Sequence, residues 1–159
     1  MGVWIDLIIL AVIVIIIAIW IYTLRKRLLK LWTEVTQHEV KFYRQLEKVV
    51  RLFATELERL TTDDNKECSR TIRRYRKKRI RSLLLAIRQD LYNSITLLYD
   101  EIEEHDDPSL NILKEEYEKL QKVRRIYNSR VLIFNQTISV FPTRYLALRM
   151  NLELKEYFG

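Results

Sequence analysis

The residues best equipped for chemistry in this sequence are bases. Arg70, Arg73, Arg74, Arg76, Lys77, Lys78, Arg79 and Arg81 crowd one short stretch. On a helical period, Arg70, Arg74, Lys77, Arg81 and Arg88 fall on one face, opposite an apolar stripe. Such a ridge suits an anionic partner: lipid headgroups, nucleic acid or an acidic protein. It serves equally as a solvated face that keeps a helical protein soluble. No nucleic-acid reader motif accompanies it, so nucleic acid is not the favoured partner.

Catalytic chemistry finds little footing. Glycine occurs only at Gly2 and Gly159, which excludes phosphate-cradling loops and makes a β-sandwich improbable. Cys68 is the single cysteine, so neither an internal disulfide nor a cysteine-rich zinc site can form. His38 and His105 are no better as metal ligands. Neighbouring carboxylates such as Glu115 and Glu116 point to different faces of a helix. We therefore expect no enzyme, no metal and no cofactor.

The elements that must carry these residues are helices. Residues 3–24 are almost wholly apolar, and Asp6 is their only charged residue. At helical rise they extend about 33 Å, enough to span a hydrocarbon core of roughly 30 Å. Trp4, Trp20 and Tyr22 lie near the two ends, where aromatic rings favour the interface. The segment lacks a basic leader region and a small-residue cleavage site, so it reads as a retained signal anchor. Arg25, Lys26, Arg27 and Lys30 follow at once. The positive flank stays cytoplasmic, so the N-terminus is expected outside and the rest in the cytosol. One unpaired cysteine fits that reducing compartment. The net charge of the 159-residue chain is +7, and every base lies beyond residue 24.

Three long amphipathic patterns make up the body, residues 25–159. The first carries Leu28, Trp32, Val35, Phe42, Leu46, Val49, Phe53, Leu57 and Leu60, and continues from the membrane segment. Thr61, Thr62, Asp63, Asp64 and Asn65 end it and offer a cap to the next. The second runs from Cys68 through Ile72, Tyr75, Ile80, Leu83, Ile87, Leu91, Ile95 and Leu98 to Ile102, and Asp106-Asp107-Pro108 stops it. An acidic hairpin, Asp100 to Asp107, sits there. The third runs from Leu110 to Ile138 and ends at Phe141-Pro142. A shorter helix over residues 143–157 follows. Short connections between long helices predict an all-α, antiparallel up-down bundle of three long helices and a shorter fourth. It stands behind one N-terminal transmembrane helix, residues 1–24.

The third pattern carries a distinctive string: Arg124-Arg125-Ile126-Tyr127-Asn128, Val131, Phe134-Asn135, Ile138, Phe141-Pro142, Ala147 and Tyr157-Phe158. Over residues 110–158 it resembles the bacterial LemA family. Tyr22 and the Leu31-Trp32-Thr33-Glu34-Val35 turn match that family more loosely. Between residues 36 and 60 the chain departs from it: Leu46-Glu47-Lys48-Val49-Val50 stands where the family has a proline-containing run. The resemblance implies a four-helix bundle behind one membrane helix, in the bacterial cytoplasmic membrane, and implies no established reaction.

Read physically, the string is architecture. Asn128 and Asn135 are seven residues apart, at one heptad position, where buried asparagine fixes helix register. Phe141 is expected to plug a bundle end, with Pro142 starting the return. Glu39 interrupts the first stripe and Arg124 stands in the third. Counting from the turns places them at one level, so they are expected to pair. The leading expectation is a membrane-anchored scaffold with a protein partner or self-association. The alternative is a peripheral anion binder using the basic ridge.

Overall fold

The computed structural model describes residues 2–60, 65–103 and 108–159, with the backbone alone at 2–3 and 58–60. Residues 61–64, where the first stop was expected, and residues 104–107 of the expected acidic hairpin lie outside them. Every regular element among the described residues is helical. Helix α1 is Gly2–Leu60, α2 Lys66–Tyr75, α3 Leu85–Glu103, α4 Asn111–Ser139 and α5 Thr143–Arg149, with single 3-10 turns at Ile80–Ser82 and Pro108–Leu110.

Helix α1 runs unbroken for 59 residues. No Gly or Pro falls inside it beyond its first residue, and good helix formers fill its second half. Its two halves differ in what surrounds them. Residues 4–23 are exposed throughout, whereas Leu28, Val35, Phe42, Leu46, Val49, Phe53 and Leu57 are buried. It alone among the described helices is long and apolar enough to cross a membrane.

The second pattern breaks where a single helix was expected. Helix α2 ends at Tyr75 and α3 begins at Leu85. Bases at Arg70 and Arg74, Arg73 and Lys77, Arg74 and Lys78, and Lys77 and Arg81 would repel at four-residue spacing on a continuous helix. The break also lets the Ile80 amide donate to the Glu47 carboxylate at 2.9 Å, while the Ile80 side chain is buried.

The fourth helix is likewise shorter than residues 143–157. Asn151 takes a left-handed conformation, φ 51°. The Leu152 amide reaches back to the Ala147 carbonyl at 2.9 Å, the helix-ending pattern in which Gly or Asn usually stands. Beyond it, residues 152–159 form no helix.

The chain divides into two compact units, one formed by residues 37–129 and 156–159, the other by the chain up to Thr36 with Arg130–Lys155. In the first, α2 packs on α3. Tyr92 Oη donates to Gln121 at 3.0 Å and Tyr117 Oη to Thr96 at 3.1 Å, so α3 and α4 run antiparallel. Its core combines Phe42, Leu46 and Phe53 of α1 with Leu91, Ile95 and Leu98 of α3 and Leu120 of α4, all buried. Each such side chain contributes about 1.5–3 kcal/mol through burial. In the second unit, Leu28 and Val35 share the interior with Val131, Phe134, Ile138 and Ala147.

Candidate functional site

The expected basic ridge is not one face of one helix, because the chain breaks inside it. Arg70 and Arg74 are exposed on α2, Lys77 lies in the turn after it, and Arg81 is exposed in the 3-10 turn. Arg88, on α3, is half-buried: its Nη1 donates to Tyr43 Oη and its guanidinium lies 5.0 Å from that ring's centre. The break redistributes the charge into clefts. One, of about 760 Å³, is lined by Lys66, Arg70, Arg74 and Tyr75 with the acids Glu67 and Asp90. A second, of about 600 Å³, is lined by Arg51, Ala54, Thr55, Arg76 and Lys77 and contains no acid. Arg51 also borders a third cleft, with Arg44, Glu47 and Lys48. Helix α1 thus supplies bases to this surface, a contribution invisible when the second pattern is read alone.

Within each unit, a motif asparagine of α4 holds part of the non-helical residues 152–159. Asn128 clamps Phe158: Nδ2 donates to its carbonyl at 2.8 Å and Oδ1 accepts from its amide at 3.0 Å. Tyr127 is buried and donates from Oη to the Glu156 carbonyl at 2.9 Å. Phe158, buried, meets Phe42 at 4.7 Å, Tyr43 at 6.0 Å and Tyr92 at 5.7 Å between ring centres. Phe42 in turn stacks on Tyr127 at 5.8 Å. In the other unit Asn135 repeats the clamp on Lys155, donating to its carbonyl at 2.8 Å and accepting from its amide at 2.9 Å. Phe134 is buried against Trp32, ring centres 5.5 Å apart, and Lys155 Nζ lies 4.6 Å from the Trp32 ring centre. The asparagines therefore hold main chain, where helix register was expected. A side-chain amide carries the donor and acceptor of a peptide group, so it can stand in for a neighbouring strand.

Arg124 is half-buried, its guanidinium 5.3 Å from the Tyr92 ring centre and its Nη1 3.5 Å from the Phe158 carbonyl. Its Nη1 also occupies the space a side chain at Gly159 would need: a Cβ there would lie 2.0 Å away. Gly159 has φ +97°, a conformation in which glycine is at ease. Glu39 is half-buried, and its charge helps to raise the phenols of Tyr43 and Tyr127. Burial is the main cause at both, pushing Tyr43 up to about 12 against an opposing pull from Arg88. Tyr127 rises well above its usual range. Arg125 is exposed on a groove with Tyr99, Tyr117 and Lys122. Phe141 plugs nothing. It is 84% exposed, because α4 ends at Ser139 and the chain turns outward before α5, with Pro142 at that helix's N-cap.

One polar centre escaped the sequence reading. Glu116 is buried, with Lys48 at 2.7 Å and Lys119 at 3.0 Å, while Gln45 Nε2 donates to its carboxylate at 2.9 Å and to its carbonyl at 3.0 Å. These partners, Lys48 foremost, hold its carboxyl at about 2. Its signal was the spacing: Glu116 stands three residues after Leu113 and four before Leu120, inside the apolar stripe. Asn65 and Glu101 form a second unforeseen pair, Nδ2 to Oε2 at 2.6 Å. Among the described residues no His, Cys, Asp and Glu group is arranged to hold a metal ion. No family profile, curated protein or solved structure matches the chain.

Proposed function

We propose that this is a membrane-anchored, non-enzymatic helical-bundle protein of the LemA kind, serving as a scaffold or interaction module for a protein partner or for itself. The observation that carries the reading is the contrast along α1: one helix, exposed and apolar over residues 4–23, then amphipathic and packed from Leu28 onward. Eighteen exposed apolar residues in water would be costly, and a bilayer removes that cost. In this reading the helices form an up-down bundle in a bacterial cell, and the basic flank Arg25, Lys26, Arg27 and Lys30 supports a cytosolic body. Protease added outside intact cells should leave the body uncut. Complete digestion of the body would reverse the orientation. Crosslinking in membranes should then recover a defined protein adduct, and recovery of uncrosslinked chain alone would remove the scaffold.

A second reading, an anion-binding module, draws on the acid-free cleft of Arg51, Arg76 and Lys77. Reversing these three to Glu would abolish that function and leave a scaffold's crosslinked adducts unchanged.

A further inference from the structure

We propose that the tip joining α4 to α5 is a second membrane contact, which seats on the headgroup layer beside the spanning helix. The inference rests on the reading that residues 3–24 cross the bilayer.

The tip is apolar and open. Val140 is 61% exposed, Phe141 84%, Tyr145 58% and Leu148 66%. It is also a built turn. The Arg144 amide donates to the Val140 carbonyl at 2.8 Å, and Thr143 Oγ1 donates to the same carbonyl at 2.8 Å. On α5, Tyr145 and Leu148 share the exposed face with Arg144 and Arg149, while Ala147 is buried on the other. Arg149 sits 6.0 Å from the Tyr145 ring centre. Apolar and aromatic side chains interleaved with arginines suit the boundary between acyl chains and phosphates. The rings and Leu148 enter the boundary, and the guanidiniums reach the anionic headgroups.

Position in the unit selects a bilayer over a protein partner. Arg130 Nη1 lies 3.5 Å from the Glu34 carboxylate, and Phe134 meets Trp32 at 5.5 Å. The two segments therefore run in opposite directions. From Phe134 to Phe141 is a further seven residues, and seven residues before Trp32 is Arg25. The step along α1 covers about 10 Å at helical rise, whereas α4 is helical only as far as Ser139, about 7.5 Å, before the chain turns. The tip thus begins inside the basic flank, level with Arg27, five residues before Trp32. The burial of α1 changes at the same height: residues 4–23 are exposed, Leu24 is half-buried and Leu28 is fully buried. Where the protein stops covering α1, the bilayer begins, and the tip lies at that line.

The test uses the full-length chain in nanodiscs of phosphatidylcholine and phosphatidylglycerol. Cys68→Ser removes the free cysteine, and Phe141→Cys, an exposed site, receives a nitroxide. Collisions with oxygen, which enters lipid, and with a water-soluble nickel chelate measure its depth. We expect oxygen to dominate at position 141, and the label to become shallower on adding Arg144→Gln with Arg149→Gln. A second label at Ile13→Cys separates the two failures. If position 13 reads lipid and position 141 reads water, the tip contact is wrong and the spanning helix stands. If position 13 reads water, the spanning helix itself is wrong. Dipolar broadening at position 141 that disappears on dilution with unlabelled chain would make the tip an interface between copies, and would overturn the proposal.

Discussion

Asn128 holds Phe158 by both halves of its peptide group, accepting from the amide at 3.0 Å and donating to the carbonyl at 2.8 Å. The aromatic ring so placed lies against Phe42, Tyr43 and Tyr92. Asn128→Ala should therefore destabilise by about 1–3 kcal/mol, two hydrogen bonds being lost from a part-buried site. Asn128→Asp keeps the acceptor but turns a charge toward the carbonyl, and should cost at least as much. Denaturant unfolding gives the energies. Hydrogen exchange should show the Phe158 amide losing protection, and unchanged protection would dismiss the clamp.

The Asn135 clamp can be tested on its own. Asn135→Ala should release the Lys155 amide, and with it the Lys155 ammonium from the Trp32 ring. We expect a red-shifted tryptophan emission as Trp32 gains water. Trp4 and Trp20 interfere, so Trp4→Phe and Trp20→Phe form the background.

Glu116 supplies an acid-sensitive part of the stability. Its folded-state carboxyl is held at about 2 against an ordinary 4.5. An unfolded chain therefore binds the proton first as pH falls. The contribution is complete above 4.5 and is lost as pH falls toward 2. Glu116→Gln should cost about 1–3 kcal/mol at neutral pH and converge on the parent near pH 2. Parallel stability curves across that interval would contradict the network.

At the alkaline end the sign reverses. Burial raises the phenols of Tyr43 and Tyr127, so the unfolded chain gives up these protons first. Their stabilisation is whole below the ordinary value of 10.0 and falls as pH rises through the folded values. Absorbance at the tyrosinate band should show at least two phenols that ionise only with unfolding. Tyr43→Phe should flatten the alkaline slope.

Arg124 spends its guanidinium on the Tyr92 ring and the Phe158 carbonyl. Arg124→Ala should cost about 2–3 kcal/mol, and most of that cost should persist when Glu39 is also Ala. A double-mutant cycle measures the remainder, the coupling between Glu39 and Arg124, which we expect not to exceed about 1 kcal/mol.

The long helices were legible because burial writes a periodic signature. Leu28 to Leu57 and Leu110 to Ile138 keep their apolar residues at helical steps, and α1 and α4 follow them closely. The break after Tyr75 left no such mark. No Gly or Pro stands there, and the bond that holds it comes from Glu47, on another helix. The unwinding after Arg149 was hidden for the same reason: apolar residues continue at helical spacing, while Asn135 and Asn128 capture the backbone from a distance. That the two asparagines matter was readable from their spacing. What they grip was not, because a main-chain partner carries no residue type.

The place of Phe158 constrains how the protein can be made. Its ring touches Phe42 and Tyr43, synthesised more than a hundred residues earlier, and Tyr92 between them. Contacts of such sequence separation close slowly, since the loop entropy falls due before they form. A nascent chain could thread its apolar segment into a membrane and wind its helices while still on the ribosome. The aromatic cluster would stay open until Phe158 had left the exit tunnel. A chain still lacking Phe158 would present Phe42 and Tyr43 unguarded to chaperones and proteases.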